Sequence, residues 1–232
     1  LYNERTCELL SVMDGNFITA FRTGACAAFA IETLAVKNYE VIGLIGLGNI
    51  CRATMSVLFS KVRQRKIIVK LYMYKNTDKG MASFLKQFKN VSVKYCKTIK
   101  ETIKGSDVIV SCPTFADHDL SSPSWFKKGA LLVPVHTRGF LNCDLVFDKV
   151  IVDDFGHTKT FKNFDKFNNC CELVDVIKNK KRGRISNNER IISYNVGISL
   201  LDIYFAKKIY NLLPHKSRIP AKDIKLSKIW VK

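Results

Sequence analysis

Residues 40–51, Glu-Val-Ile-Gly-Leu-Ile-Gly-Leu-Gly-Asn-Ile-Cys, decide how this chain is read. A short apolar run from Val41 to Ile45 ends at two closely spaced glycines, Gly46 and Gly48, and then opens into a helix-like segment. Such a run suits a buried parallel strand. Glycines at the turn let the backbone reverse sharply and approach a pyrophosphate, whose charge the free N–H groups and dipole of the next helix would meet. The third glycine of the usual G-x-G-x-x-G pattern is Cys51 here, still small enough for close helix–strand packing. An ordinary strand-turn-helix corner is the alternative, and only the surrounding sequence separates the two.

The following hundred residues repeat the alternation of strand and helix that a doubly wound domain needs. Residues 67–74 read as a second strand, 79–88 as a helix, 91–95 as a third strand and 99–104 as a short helix. Residues 107–112, 130–135 and 150–154 supply three more strands. Together with 41–45 they make the six that a Rossmann-like α/β domain requires.

At 232 residues and 47% hydrophobic, the chain can bury a core as one large domain or as one domain with an appendage. No run reaches the roughly 18 consecutive apolar residues of a membrane span. Residues 9–12 are too short, and lack the basic lead-in, for a secretory signal. No membrane partner is expected. The chain starts at Leu1 rather than Met, which reads as a fragment or a processed product.

Eight cysteines lie at 7, 26, 51, 96, 112, 143, 170 and 171 without a C-x-x-C pair, so neither a zinc site nor any other metal site is expected. They read as small buried thiols in a reducing, cytoplasmic compartment, with adjacent Cys170 and Cys171 open to oxidation on exposure. The net charge of +18 attracts polyanions. Its lysines are nonetheless spread through the chain with no nucleic-acid-binding signature around them, so nucleic-acid binding is the weaker alternative. The basic segment 214–232 reads as a solvated tail rather than a nucleic-acid arm.

Residues Phe21 to Ala30 (FRTGACAAFA), then Thr33-Leu34-Ala35 and the Gly46–Gly48 turn, resemble the ornithine cyclodeaminase/mu-crystallin family. The similarity continues through Gly105-Ser-Asp-Val-Ile-Val110, Lys128-Gly129, Val152-Asp153-Asp154 and the stretch from Tyr194 to Tyr210. It implies a Rossmann-like doubly wound parallel sheet with the remnant of a second, substrate and dimerisation domain. On that reading residues 1–21 end a truncated substrate and dimerisation domain, and 22–155 form the NAD(P)-binding domain. Residues 156–213 then return as a helix, from about 189 to 213, that packs on the first domain. Full-length relatives carry a longer front segment that helps hold the substrate and build a homodimer. The resemblance thus predicts exposed apolar surface on the final helix and on residues 1–21.

The activity it implies is NAD(P)-dependent chemistry on a small amino or imino acid: imine reduction, amino-acid dehydrogenation or cyclodeamination. A non-catalytic or degenerate nucleotide-binding fragment is the alternative. Arg22 matches the family arginine that clamps the substrate carboxylate, a task suited to a bidentate cation; a structural ion pair is its other reading. The cofactor site would comprise Thr23, Gly46, Gly48, Asn49, Ile50, Val135 and Gly197, with Ser111, Cys112 and Pro113 from the loop after the fourth strand.

His136 follows the fifth strand, with an intrinsic pKa suited to proton transfer at neutral pH, or else serves as a hydrogen-bonded loop residue. Deaminating cyclases of the family carry an aspartate near the position of Arg138, and an arginine cannot act as a carboxylate base. Cyclodeamination in its usual form is therefore disfavoured. At the end of the second strand Tyr74-Lys75-Asn76-Thr77 offers no acid for a ribose hydroxyl and one cation, which favours NADP over NAD unless Lys75 is only a solvated turn residue.

Overall fold

The Asp14 carboxylate accepts a hydrogen bond from the Asn16 N–H at 2.9 Å, and α1 (Gly15–Leu34) starts there in the computed structural model, which describes residues 1–213. The tail expected at 214–232 lies outside the described residues. α1 runs unbroken across residue 21, where the sequence suggested a domain boundary. By length and mean composition it could also cross a membrane, although Arg22, Thr23 and Glu32 keep it from being a continuous apolar run. Half of that helix is buried inside the molecule, as a core helix would be. Its small residues explain how it packs. A Cβ on Gly24 would lie 2.6 Å from the Ala53 Cβ and the Thr54 nitrogen of α2 (Asn49–Lys61), so the two helices meet at backbone distance.

Between α1 and α2 lies β1 (Val41–Ile45), and beyond α2 come β2 (Ile67–Tyr72), α3 (Thr77–Leu85), β3 (Val91–Cys96), α4 (Ile99–Ile103) and β4 (Val108–Ser111). Then follow β5 (Leu131–Pro134), β6 (Lys149–Val152), α5 (Phe155–Thr158), β7 (Cys171–Glu172), α6 (Leu173–Ile177), β8 (Ile191–Tyr194) and α7 (Ser199–Leu212). The strands form one sheet in the order β3-β2-β1-β4-β5-β8-β6-β7, and every pairing is parallel.

Strand residues alternate between two cores. Ile42, Leu44, Val108, Val110, Leu131 and Val133 face the layer that holds α1 and α2, whereas Ile45, Ile109 and Leu132 face the phenylalanine-rich layer of Phe126, Phe140, Phe147 and Phe161. Burial of both faces is why these strands are continuously apolar.

Two strands exceed the six expected, and one of them replaces predicted helix. Residues 189–194 read as the start of a long final helix, but Ile191 and Ile192 pair with Leu131 and Leu132 of β5, and 191–194 pair with β6. A fully buried β-branched pair fills the gap between those strands better than it fills one turn of a surface helix. Residues beyond 155 therefore contribute two strands to the same sheet.

The helix begins only at Ser199, and none of its residues is buried within this chain. Leu200, Ile203, Tyr204 and Leu212 are exposed on it, as are Tyr2, Leu9, Val12 and Phe17 near the start of the chain.

Candidate cofactor and substrate site

The strand order changes direction at β1, whose neighbours are β2 and β4, and a parallel sheet opens a crevice beyond the carboxyl ends of its strands at such a point. A cavity of about 570 Å³ occupies this place. Gly48, Asn49 and Ile50 line it from the loop after β1, Cys112, Pro113 and Thr114 from the loop after β4, and Val135, His136 and Thr137 from the loop after β5. Residues that the sequence singled out from three separate loops are thus brought to one cavity, joined by Thr114 on the loop of Cys112 and Pro113 and by Thr137, which was given no role.

The two glycines of the turn do different work. Gly46 has φ +76°, and a Cβ there would lie 2.4 Å from the Cys112 carbonyl carbon and the Pro113 nitrogen, so the loops after β1 and β4 touch through it. Gly48 has φ −85° and nothing within 4 Å of its Cβ direction. It is therefore the open edge of the cleft, standing at the N-cap of α2 where helix N–H groups lack intrahelical partners. Cys51, in place of the third glycine, is wholly buried in the core. Burial pushes the Cys112 thiol well up, and the adjoining Cys51 thiol adds to this.

His136 closes the cavity on the β5 side. Its Nε2 shares a 2.9 Å hydrogen bond with the hydroxyl of Ser111, the buried last residue of β4. Burial pushes its pKa down to about 4, which the backbone of Arg138 offsets only in part. Its Nδ1 is buried without a partner in hydrogen-bond geometry. The expectation that His136 titrates near neutrality is corrected, because desolvation disfavours the imidazolium. At pH 7 it is a neutral ring that can donate from one nitrogen and accept at the other.

Arg22 lies elsewhere, on α1 under the loop that follows β8. Its Nε donates to Asp202 of α7 at 3.0 Å, with the arginine side chain only 12% exposed. Its Nη1 is buried without a partner and lies against Gly197, where a Cβ would fall 1.4 Å from that nitrogen. Gly197 has φ +98°, and its N–H donates to the Asp153 carboxylate at 2.5 Å. Burial holds the Asp153 carboxyl above its ordinary range despite that bond, and Asp153 Oδ1 has no partner. Burial, and after it the charge of Asp153, also pushes the nearby Cys26 thiol up to about 11. Gly197, expected at the cofactor, therefore abuts the arginine instead. Thr23 is buried on α1 and does not line the cavity.

Lys75 and Asn76 follow β2 with positive φ values of 49° and 58°, and both are exposed. The ammonium of Lys75 lies 5.1 Å above the Tyr74 ring. The Thr77 hydroxyl donates to the Tyr74 carbonyl at 2.7 Å, which ties the turn into the first residue of α3. The nearest acid in sequence, Asp78, is buried.

The sequence profile of the ornithine cyclodeaminase/mu-crystallin family matches residues 1–217. The chain belongs to this family. Among curated relatives, N-((2S)-2-amino-2-carboxyethyl)-L-glutamate dehydrogenase of Staphylococcus aureus is 24% identical over 220 residues, covering 87% of this chain and 63% of that protein. The chain thus spans less than two thirds of that relative's length.

Two solved structures share the fold. Thermococcus litoralis Delta(1)-pyrroline-2-carboxylate reductase, in complex with NADH and L-proline, superposes with a TM-score of 0.77 at 24% identity, covering 90% of this chain and 69% of that one. An archaeal alanine dehydrogenase dimer with bound NAD superposes with a TM-score of 0.77 at 22% identity, covering 90% and 68%.

Sequence reasoning gave no role to Asp153 or Asp202. Asp202 stands 180 positions from Arg22, so no local spacing announces their pairing.

Proposed function

We propose that this family member is an NAD(P)-dependent oxidoreductase acting on a small amino or imino acid, with the dinucleotide laid across the cavity between Gly48 and His136. The observation that carries this reading is the open Cβ direction of Gly48 at the N-cap of α2, where a side chain would occupy the space a pyrophosphate needs. Gly48, Asn49 and Ile50 would hold the pyrophosphate, and Cys112, Pro113 and Val135 the nicotinamide half. The nicotinamide supplies hydride exchange with the substrate carbon that bears nitrogen. His136 stays neutral and orients a polar group through Nδ1, while Ser111 fixes its ring. Arg22 is the clamp for the substrate carboxylate on this reading, with Asp202 holding its Nε, and the loop at Gly197 that covers Nη1 must shift for that nitrogen to reach the ligand.

The activities of the relatives on amino and imino acids, and the NADH and NAD bound in the two solved structures, support this assignment. Lys75, exposed at the end of β2 with no acid exposed beside it, supports NADP as the preferred form. The exposed apolar residues of α7 and of the first seventeen positions support a homodimer, the state of the archaeal alanine dehydrogenase. Eight free thiols support a reducing, cytoplasmic setting. On this reading residues 1–21 belong to the substrate and dimerisation part, 22–155 to the nucleotide-binding part and 156–213 to the return segment.

A second reading, a nucleotide-binding protein without turnover, is favoured by the loop from His136 to Phe140, where Arg138 stands in place of a carboxylate. Fluorescence titration with NADPH and NADH, followed by reduction assays on cyclic imino acids, separates the two. Turnover supports the enzyme. Cofactor binding with no turnover on any imino or amino acid supports the second reading, and absence of binding defeats both.

A further inference from the structure

A second cavity, of about 1080 Å³, opens at the other end of the sheet. It is lined by residues just ahead of the strands: Tyr39 before β1, Arg65 before β2, Asp107 before β4 and Gly129 before β5. A strand of about five residues is roughly 17 Å long, so this cavity is separate from the one at His136.

Its charge is one-sided. Lys37, Lys61, Arg65, Lys127, Lys128 and Arg184 line it, against only Glu32 and Asp107. Both acids are already engaged, Glu32 by Lys61 at 3.0 Å and Asp107 by Lys127 at 2.6 Å. Asp107 is further occupied by the N–H groups of Glu40 and Val41 at 3.0 and 2.9 Å. Four cations therefore remain without a salt-bridge partner among the described residues.

Two of these are fixed in place. The Arg65 guanidinium lies 4.5 Å over the Tyr39 ring, and only its Nη1 is hydrogen-bonded, to the carbonyls of Lys37 and Tyr39 at 2.6 and 3.2 Å. Arg184 reaches the Leu34 carbonyl with Nε at 2.7 Å and the Ser186 and Glu189 carbonyls with Nη1. It thereby offsets the partial negative charge that the end of α1 brings to the cavity. Its Nη2 is buried without a partner, and so is the hydroxyl of Tyr39, a residue only 4% exposed. Buried donors left unmade are costly, and in native structures they ordinarily find a protein, water or ligand acceptor. A held pair of guanidinium groups with two exposed lysines at the rim is the donor set that multivalent oxyanions select.

We propose that this cavity is a second binding site, for a compact oxyanion carrying at least two negative charges, of which a short polyphosphate is the best match to the Nε and Nη2 of Arg65, the single remaining Nη2 of Arg184 and two lysines. It needs none of the residues assigned to the dinucleotide, so it stands or falls separately from the proposed activity.

Inorganic tripolyphosphate is the probe, titrated calorimetrically into the full chain at about 0.15 M salt, where exposed charges more than about 8 Å apart are largely screened. Citrate titrated in parallel tells a polyphosphate from a polycarboxylate. The variant K37A/K128A removes two exposed rim cations, and K159A/K162A removes two exposed lysines from the opposite end as the control. A saturable one-site isotherm, weakened about tenfold or more in K37A/K128A and unchanged in K159A/K162A, with NADPH titration the same in all three, is the expected result.

Arg184→Lys keeps the charge but loses the Nη2 donor, so it should weaken tripolyphosphate binding in the same direction. Equal weakening by both double variants would reduce the effect to net charge and overturn the proposal, as would no saturable binding. Citrate binding more tightly than tripolyphosphate would overturn the choice of polyphosphate.

Discussion

Replacing Gly197 by alanine should unseat Arg22, and the structure fixes how large the effect is. The new Cβ would fall 1.4 Å from Arg22 Nη1 and 2.6 Å from Cζ, so the guanidinium must leave its place. Leaving it breaks the 3.0 Å bond to Asp202, a charge-assisted pair worth about 1.5–3 kcal/mol when buried. Asp202 is 32% exposed, which puts the pair toward the lower part of that range. Alanine at φ +98° adds backbone strain of about 1–3 kcal/mol.

The expected loss is thus about 3–4 kcal/mol, or a melting temperature lowered by roughly 6–16 °C for a chain of this size. Urea denaturation followed by circular dichroism reads it directly. The decisive measurement is the double-mutant cycle with Arg22→Ala. Once the guanidinium is gone the alanine methyl has room, so G197A should cost only the strain in that background. The coupling should then be about 1.5–3 kcal/mol. Additive single-mutant losses, within about 0.5 kcal/mol, would refute the idea that this glycine is kept for the arginine.

The two turn glycines should separate cleanly. Gly48→Val meets open space and an ordinary φ, so its melting temperature should stay near wild type while NADPH affinity falls roughly tenfold or more by fluorescence titration. Gly46→Ala meets backbone at 2.4 Å with φ +76° and should destabilise by about 2 kcal/mol or more in urea denaturation. Lys75→Glu should shift preference from NADPH toward NADH, because it places an acid where a 2′-phosphate would lie; an unchanged ratio of the two dissociation constants would remove Lys75 from the site.

His136 sets a pH signature. Its folded pKa of about 4 lies below the usual 6.5, so the unfolded chain binds the extra proton between those values and stability falls as pH drops through that window. Asp144, pushed up to about 6 from 3.8 by burial, works in the opposite direction over most of the same range. The difference between wild type and His136→Gln in urea midpoint from pH 7 to pH 4 is therefore the quantity to measure, with the wild type losing more on acidification.

What the sequence made legible was local. β1, the turn after it and the apolar strands β4 and β5 are contiguous runs whose following loops end at the same edge of the sheet, so Gly48, Cys112 and His136 line one cavity. β8 was hidden because Ile191 and Ile192 stand close before an apolar helix, and hydrophobicity alone joins them to it; only their pairing with β5 and β6 makes them strand. β7 is two residues long and carries no periodicity at all. The packing of α1 was hidden for a related reason. Its apolarity comes from many small residues whose purpose shows only when α2 packs against Gly24.

The histidine and the arginine show a different limit. His136 could be placed at the mouth of the cleft from its position after β5, yet its protonation is set by burial against Ser111 and Phe140, which no residue pattern records. Arg22 could be singled out by its motif, and both of its readings survive in one geometry. Nε is committed to Asp202 as a structural pair, while Nη1 stays buried and unpartnered. An ion pair that consumed the whole fork would make Arg22 a strut. One that consumes a single nitrogen fits the proposed carboxylate role with Asp202 as support, and on that proposal Asp202→Asn should weaken substrate use more than cofactor binding. Equal loss of both, read from KM for the imino acid against the dissociation constant for NADPH, would return Arg22 to a structural role.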